Sequence, residues 1–579
     1  MIALPKRGCA GHNNAPHAPQ TRANYNPVVQ WMFRVRRLLP ALFPVLLLSF
    51  LTLPAFAGAQ EASAEPTAET PARGRLLLVL PFENHTGQPN LDWIGEGASD
   101  IFNRRLDAAG FLTISRDDRL YALDRLGLPA NFQPSRATTI RIAQLLDADS
   151  IIIGAYTLSG DELTVTARIL DLHKLALSPP IEQKSDLKDL LDTLNGLAWN
   201  VARKLDPTYS VAEQTFLAAD GALQPGAFED YIRGMTAEAP ADRIPRLREA
   251  VRLNPGFAPA RLELGRAYFA HQDYDSAATT FGQMPTDAPS ALEADFDRGL
   301  ALFFTAHYLK AEDAFAFVAT QLPLAEVVNN EGVAASRRGH DGAPFFQQAI
   351  ASDPRDEDYH FNLAIALRKR KDIAGATREI QTALKLRPSD TDAQALAAAL
   401  KDPAPSIANS GPGPSASNSD DTLPIERIKR TYNETEFRQA AFEMEQLQAA
   451  RLATLPPDQR STKLVNDGDQ YLHRGLILEA EREYQAALQA NPASAAAHAG
   501  LAQVREHSQD PKAARAEAQR SLGFAPNAPA YLVLASLDLE SNQLSAAAAE
   551  VSAALRVDPA NASAKEMKQA LEAKGQQVP

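Results

Sequence analysis

Apolar residues follow two different spacings along this chain. Between Arg75 and about residue 205, continuous or alternating apolar runs predict strands, and stretches with an apolar residue every three or four positions predict helices. Beyond residue 227 only the helical spacing continues. It is interrupted at 401–424, where Ser, Gly, Pro and Asn replace the apolar positions and predict a linker. The pattern therefore predicts an α/β domain followed by two all-helical arrays.

The α/β pattern begins with an apolar run at 76–82 that turn residues close, as is typical of a strand buried on both faces. The further predicted elements are a helix at 93–109, a strand at 111–115, a helix at 136–146, a hairpin of strands at 150–158 and 162–172, and a closing helix at 187–205. The second hairpin strand alternates apolar and polar residues, which indicates one buried face.

Residues of the helical region return at an interval of thirty-four. The matching pairs are Gly265 and Gly299, Ala277 and Ala311, Phe281 and Phe315, and Pro289 and Pro323. In two antiparallel helices, the small residues allow close approach, the phenylalanine fills the space between neighbouring pairs, and the proline stops the second helix. One such pair cannot bury its apolar face, so the pairs must stack into a solenoid.

These residues resemble the tetratricopeptide repeat, whose pattern Leu264-Gly265, Tyr268, Ala277, Phe281 and Pro289 follow. Later copies contain Ala376, Ala383 and Pro388, then Gly468, Ala480, Tyr484, Ala487 and Pro492. The resemblance implies about five repeats in 227–400 and about three in 461–574, where a capping helix ends the second array. The apolar spacing also predicts a helical segment at 425–460, between the linker and the second array.

Residues 74–205 resemble the TolB amino-terminal domain family. The resemblance rests on four motifs: Val79-Leu80-Pro81-Phe82-Glu83-Asn84, Gly154-Ala155-Tyr156, Gly160-Asp161-Glu162-Leu163 and Ala167-Arg168-Ile169-Leu170-Asp171. It implies an α/β domain that mediates protein contact rather than chemistry. No β-propeller follows, so the resemblance does not extend to the whole TolB protein.

The first sixty residues contain a basic start, an apolar run from Leu38 to Leu53, and small residues ending in Ala57 and Ala59. This order is typical of an export signal cleaved near either alanine, and it predicts a periplasmic or cell-envelope protein. Translation is expected to begin at Met32, so that 1–59 comprise an extension and a signal peptide, and 60–73 a flexible leader. If the apolar segment at 38–57 were retained instead, it would associate with the membrane.

Charge and composition exclude several classes of function. Six of the 58 basic residues and none of the 71 acidic ones precede residue 60, so the remainder has a net charge of −19. That charge argues against nucleic acid as a partner. The only cysteine is Cys9, and the histidines lack metal-ligand spacing, so no catalytic constellation, metal site or cofactor is expected.

The first helix of each repeat is expected to line the concave face of the first array. This geometry predicts a protein-binding groove that presents aromatic and basic side chains together. Its residues are Arg266, Phe269, Phe296, Phe303, Phe304, Asn329, Arg337, Phe361, Arg368 and Lys369. Such a groove suits an extended peptide with apolar anchors and an acidic group or a carboxylate terminus. Two other interpretations remain open: the phenylalanines could pack between repeats, and the basic run at 368–371 could simply end a helix.

Two functions fit these features. The first is an exported, non-enzymatic scaffold that binds protein partners through its repeats. The alternative is a sensor in which the α/β domain binds a small molecule and relays its state to the repeats.

Overall fold

The computed structural model describes residues 76–129, 135–219, 223–286, 288, 290–401, 424–432, 447 and 449–579. The predicted extension, signal peptide and leader lie outside these residues, as do Pro289 and almost all of the predicted linker. Within the described part of the chain, every helix is too short or too polar to cross a membrane.

The amino-terminal domain is a mixed sheet between two layers of helices. Its elements are β1 (Leu76–Val79), β2 (Glu83–Asn84), α1 (Trp93–Ala108), β3 (Leu112–Thr113), α2 (Arg116–Arg125), α3 (Arg136–Leu145), β4 (Ser150–Ser159), β5 (Glu162–Asp171), β6 (Ala176–Leu177), β7 (Ile181–Asp186), α4 (Leu190–Leu205) and α5 (Glu213–Ala218). The strand order is β3-β1-β4-β5-β6, with β2 beside β4 and β7 beside β5. Strand β1 runs parallel to β3 and β4, whereas β4 and β5 form the predicted antiparallel hairpin.

The apolar run of β1 is explained by its burial on both faces. Leu77 and Val79 pack with α1 and α4, and Leu78 packs on the opposite face with α2 and α3. The predicted α/β architecture is therefore confirmed, while membership of the TolB family stays a prediction. The sequence did not predict α2 or β7, because α2 is rich in charged residues and β7 alternates between exposed and half-buried positions at the sheet edge.

The first array contains five helix pairs and one further helix. They are α6 (Pro225–Thr236), α7 (Pro240–Leu253), α8 (Ala258–Ala270), α9 (Tyr274–Phe281), α10 (Ala291–Phe304), α11 (Tyr308–Gln321), α12 (Ala325–Arg337), α13 (Ala343–Ser352), α14 (Glu357–Lys369), α15 (Ile373–Leu386) and α16 (Thr391–Lys401). Helix α16 packs Leu396 and Leu400 against the last pair and covers its apolar face. It therefore closes the core of this array.

The second array contains three pairs and a final helix. They are α17 (Pro457–His473), α18 (Ile477–Ala490), α19 (Ala495–His507), α20 (Pro511–Phe524), α21 (Ala528–Glu540), α22 (Leu544–Val557) and α23 (Ala562–Ala573). In α23, Leu571 is buried against α22, as a capping helix requires. The first helix begins four residues earlier than the predicted array boundary.

The repeat residues occupy the places that their sizes suggest. A Cβ atom added to Gly265 would lie 2.4 Å from Cε1 of Phe281, and one added to Gly299 would lie 2.7 Å from Cε1 of Phe315. Six alanines are at most 1% exposed in the helix pairs, namely Ala277, Ala311, Ala376, Ala383, Ala480 and Ala487. Pro323, Pro388 and Pro492 each follow the last residue of a second helix by two positions.

The second array also packs against the connector, which we define as the residues between α4 and α6 and which contains α5. The carboxylate of Glu481 is fully buried and accepts hydrogen bonds from Arg505 (2.6 Å) and from the backbone N–H of Ala212 (3.0 Å). Arg505 in turn donates to the hydroxyl of Thr215 at 2.6 Å. The pairing of these buried charges joins the carboxy-terminal repeats to the connector.

The predicted helical segment at 425–460 differs from the structure at its start. Residues 424–432 have no helical hydrogen bonds and lie extended in the first array, while residues 449–453 are helical. Residues 433–446 and 448 of this predicted segment lie outside the described residues. The physical reason for the extended start is that its backbone is paired with side chains of the array, which replace the hydrogen bonds of a helix.

Candidate functional site: a peptide groove in the first array

The concave surface formed by α10, α12, α14 and the start of α16 contains residues 424–432, which we name the internal segment. It has the sequence PIERIKRTY. Arg427 contacts α14 and α16. Lys429 contacts α12 and α14, and Tyr432 contacts α10. The segment therefore runs from the late repeats toward the early ones.

Two asparagine side chains pair with the backbone of the internal segment. The amide of Asn362 accepts from the N–H of Arg427 at 2.7 Å and donates to its carbonyl oxygen at 2.8 Å. The amide of Asn330 does the same for Lys429, at 2.8 Å and 2.7 Å. An amide suits this role because it is both donor and acceptor. Each clamp recognises an extended backbone without regard to its side chain.

The repeat positions these two asparagines. Asn330 and Asn362 are the sixth residues of α12 and α14, and both are fully buried. Asn329 supports the pair, since it accepts from Asn362 at 2.8 Å and donates to the carbonyl oxygen of Arg427 at 3.2 Å. Successive repeats thus present equivalent amides to alternate residues of one extended strand, whose side-chain period is two.

Arg427 enters an acidic pocket. Its guanidinium group makes a two-pronged contact with Asp390, at 2.6 Å and 2.8 Å, and a third hydrogen bond with Asp358 at 2.9 Å. The guanidinium carbon also lies 3.8 Å from the centre of the Phe361 ring, a cation–π arrangement. The hydrogen bond from Arg427 lowers the pKa of Asp390. Burial opposes the charge of Arg427, but its bonds to Asp390 and Asp358 outweigh burial and raise its pKa.

Lys429 occupies the neighbouring acidic pocket. Its ammonium group lies 2.7 Å from carboxylate oxygens of both Asp356 and Asp358, and 5.3 Å from the centre of the Tyr359 ring. Burial disfavours the lysine charge, yet the two aspartates prevail and raise its pKa. Asp358 therefore forms ion pairs with both Arg427 and Lys429 of the segment.

Glu426 lies in a pocket of opposite charge. Its carboxylate is 2% exposed and accepts hydrogen bonds from Lys369 and from the hydroxyl of Ser336. Arg337 donates to its carbonyl oxygen at 3.3 Å. Burial alone would raise the pKa of Glu426, but the bonds from Lys369 and Ser336 lower it below its usual value.

Apolar contacts complete the groove. Ile428 packs against two apolar clusters formed by helices α10 to α14, and Phe303 packs against the same two clusters. The ring of Tyr432 meets that of Phe296 edge-on at a centroid distance of 5.0 Å. Arg430 places its guanidinium carbon 5.1 Å from the centre of the Phe304 ring. The segment thus has one aliphatic and one aromatic anchor between its charged contacts.

Most of the residues predicted to form a groove are assembled here. Those that contact or pack beside the internal segment are Asn329, Arg337, Phe361, Lys369, Phe296, Phe303 and Phe304. Phe269 supports Phe304 at a ring distance of 5.9 Å, and Arg368 is half-buried beside Lys369. That these residues bind a separate partner stays a prediction.

Arg266 has a different environment. It is enclosed by the carboxylates of Glu263, Glu293 and Asp297. Burial opposes its charge, but Asp297 and Glu263 prevail and raise its pKa. In the repeat alignment, Glu263 and Asp297 occupy the positions of Asn330 and Asn362, so in these earlier repeats an internal ion cluster takes the place of the amide clamp.

Several groove residues were missed by the sequence reasoning. They are Asn330, Ser336, Asp356, Asp358, Asn362 and Asp390. One signal was available for the asparagines, since amides recur at equivalent positions of two successive helices. The aspartates carried no such signal, because acidic residues at helix starts are ordinary partners of the helix dipole.

Two acidic side chains of α1, Glu96 and Asp100, are paired with other side chains of the fold. Glu96 accepts from both Arg116 and Arg119, and Asp100 pairs with Arg104 and accepts from Tyr231. Across the described residues, His, Cys, Asp and Glu side chains form no cluster that could hold a metal ion.

Comparison with protein families identifies the repeats. Residues 233–295 match one model of the tetratricopeptide repeat, and residues 333–393 and 468–529 match a second. The predicted tetratricopeptide repeats are therefore confirmed in both arrays, and proteins of this class bind protein or peptide partners. No curated protein matches the sequence.

Solved structures that resemble parts of this chain include the following three. MamA from Desulfovibrio magneticus RS-1, from residue 41 to its end, is 21% identical over 29% of this chain and 99% of that chain, with a TM-score of 0.28. YrrB, a tetratricopeptide protein with an unusual peptide-binding site, is 16% identical over 28% and 83%, with a TM-score of 0.25. The carboxy-terminal domain of LpoB from Escherichia coli is 17% identical over 20% and 83%, with a TM-score of 0.18.

Proposed function

We propose that this protein is a non-enzymatic scaffold whose first array binds an extended peptide segment of a partner protein. The observation that carries the proposal is the pair of clamps in which Asn330 and Asn362 each hold the N–H and the carbonyl oxygen of one residue. Backbone recognition of this kind supplies affinity, and the side-chain pockets between the clamps supply specificity. The groove therefore accepts a strand rather than a helix or a small molecule.

The energetics favour a reversible interaction. The net contribution of one hydrogen bond to the binding free energy is about 0.5–1.5 kcal/mol. The four bonds of the two clamps form together only when the peptide is in register. The charged pockets around Arg427 and Glu426 are largely removed from solvent, so an unmatched residue there would leave a buried charge without its partner. Such pockets reject wrong sequences more strongly than they favour right ones.

A peptide array tests this function. Extended twelve-residue peptides are probed with the full chain and with an Arg427→Ala/Lys429→Ala chain, so that the internal segment does not mask binding. We expect selective binding that disappears when Asn330→Ala/Asn362→Ala is added. An Asn466→Ala chain serves as the control, because Asn466 takes the equivalent position in α17 and is exposed. The proposal would be contradicted if adding Asn330→Ala/Asn362→Ala left peptide binding unchanged in both the full chain and the Arg427→Ala/Lys429→Ala chain.

We also propose that the scaffold acts in the cell envelope, after export, and that the TolB-like α/β domain contacts a second partner there. The basic, apolar and small-residue order of 33–60 supports export. The intact mass of the protein recovered from its native envelope fraction tests it. A chain beginning near Gly58 or Gln60 is expected, and a chain that retains 38–57 would indicate a membrane-tethered protein instead.

A further inference from the structure

We propose that the internal segment is a built-in competitor, which occupies the groove until a partner displaces it. The partner segment has the same chemistry in four consecutive extended residues: acidic, basic, aliphatic and basic, as in Glu426-Arg427-Ile428-Lys429. This inference rests on the peptide-binding function proposed above and specifies both its regulation and its ligand.

The segment is not a structural part of any repeat. All five helix pairs of the first array and its last helix precede it in the chain, and the second array follows it. The segment adds only an extended strand, whose backbone bonds to Asn330 and Asn362 at equivalent positions of α12 and α14. Removing it would return the clamp asparagines and the charged pockets to water, whereas the helix-to-helix contacts of Gly332 with Phe346 would stay in place.

The order of charges defines the register. Glu426 lies with Lys369 and Arg337, whereas Arg427 and Lys429 lie with the aspartates. A shift by one residue turns each side chain to the opposite side of the strand. A shift in one direction would place Glu426 against Asp358 and Asp390, where like charges repel. A shift in the other direction would place Ile428 there and leave the two carboxylates without a cationic partner, which is costly. The pockets therefore select the four-residue order and not merely a basic peptide.

The contacts are suited to exchange. Ile425 is 62% exposed, and Arg430 and Thr431 are also exposed, so the strand has accessible residues on both sides of its clamped part. A segment joined to its own groove competes at an effective concentration on the order of mM. If it fills the groove in 90–99% of molecules, a partner binds about 10–100-fold more weakly than it would to an open groove.

Fluorescence anisotropy with a labelled copy of the segment, PIERIKRTY, tests the inference on the full chain. We expect the Arg427→Ala/Lys429→Ala chain to bind this peptide at least tenfold more tightly than the unmodified chain. Ile425→Ala is the matched control, because it changes an exposed residue of the same segment and is expected to leave affinity unchanged. The peptide with its first two charges exchanged, PIREIKRTY, is expected to bind at least tenfold more weakly than PIERIKRTY.

The outcomes separate this inference from the function on which it rests. Equal binding to the unmodified and Arg427→Ala/Lys429→Ala chains, lost with Asn330→Ala/Asn362→Ala, would retain the groove but overturn the competitor. No binding to any chain would overturn both. Equal affinity for the two peptides would overturn the four-residue order alone.

A second measurement uses the unmodified chain and so does not depend on how the variants fold. Isotope-labelled PIERIKRTY is added in excess, and hydrogen exchange of residues 424–432 is followed by mass spectrometry. Displacement predicts faster exchange of the segment with rising peptide concentration, while the helices keep their protection. Unchanged exchange at saturating peptide would contradict the competitor.

Discussion

Asn330 and Asn362 are equivalent residues of successive repeats, and they bind residues 429 and 427 of one extended strand through the same pair of hydrogen bonds. The spacing of repeats along the array thus matches the two-residue period of a strand. A repeated helical surface becomes a template for extended backbone because each repeat contributes one amide. The contacts that hold this strand can be tested by single substitutions.

Replacing Asn362 with alanine removes its two hydrogen bonds to the backbone of Arg427. Asn329 still donates to the carbonyl oxygen of Arg427, but the N–H of Arg427 loses its acceptor. A buried group left without its partner costs about 1–3 kcal/mol, which corresponds to roughly 5–150-fold in the opening equilibrium. We expect hydrogen exchange of the internal segment to accelerate by at least fivefold. Asn466→Ala, at the equivalent exposed position of the second array, is the control and should leave that exchange unchanged. Equal effects of the two variants would contradict the clamp.

Asp390 and Asp392 both contact Arg427 but differ in burial, with side chains 6% and 62% exposed. Asp390→Asn should release the segment far more than Asp392→Asn, because exposed ion pairs contribute only about 0–1 kcal/mol. Trypsin provides the measurement, since a released segment offers cleavage after Arg427, Lys429 and Arg430. We expect initial cleavage to be at least tenfold faster in Asp390→Asn and less than about fivefold faster in Asp392→Asn. Similar rates would show that the buried pair does not hold the segment.

The contribution of Asp390 should depend on pH. Its pKa in the folded protein lies below the usual 3.8, mainly because of the hydrogen bond from Arg427. A lowered folded pKa stabilises the native state above the unfolded pKa, and this stabilisation is lost as pH falls through the folded value. The melting temperature of the unmodified chain should therefore exceed that of Asp390→Asn at pH 7, and the gap should narrow below about pH 4. A gap that stays constant to pH 3 would contradict this linkage.

Gly265 tests the packing between the two helices of a repeat. An added methyl group would lie 2.4 Å from the Phe281 ring, so Gly265→Ala forces the ring or a helix to move. We expect a destabilisation of about 1–3 kcal/mol, seen as a lower melting temperature. Gly523→Ala in α20 is the matched control. No atom lies within 4 Å of its added methyl group, so the gain in helix propensity should leave stability equal or slightly higher. Equal losses in both variants would refute the packing argument.

The sequence predicted the repeats well because their determinants are local. Gly265 and Phe281 are sixteen residues apart, and the same pair recurs at Gly299 and Phe315. The apolar run of β1 likewise predicted a strand buried on both faces. Charged or exposed elements such as α2 and β7 escaped because their stability comes from neighbours rather than from their own pattern.

By itself, the sequence determined the helical arrays and the α/β domain before them, and it predicted that Asn329, Phe361 and Lys369 share one surface. Only the tertiary structure decided what lies in that groove. The partners Asn330 and Lys429 are 99 residues apart, and Asn362 and Arg427 are 65 apart. The apolar spacing within 425–460 predicted a helical segment, but hydrogen bonds from distant side chains hold residues 424–432 as an extended strand. The spacing of apolar residues reports local packing. The conformation of a segment whose backbone bonds to distant side chains depends instead on the surface that it contacts.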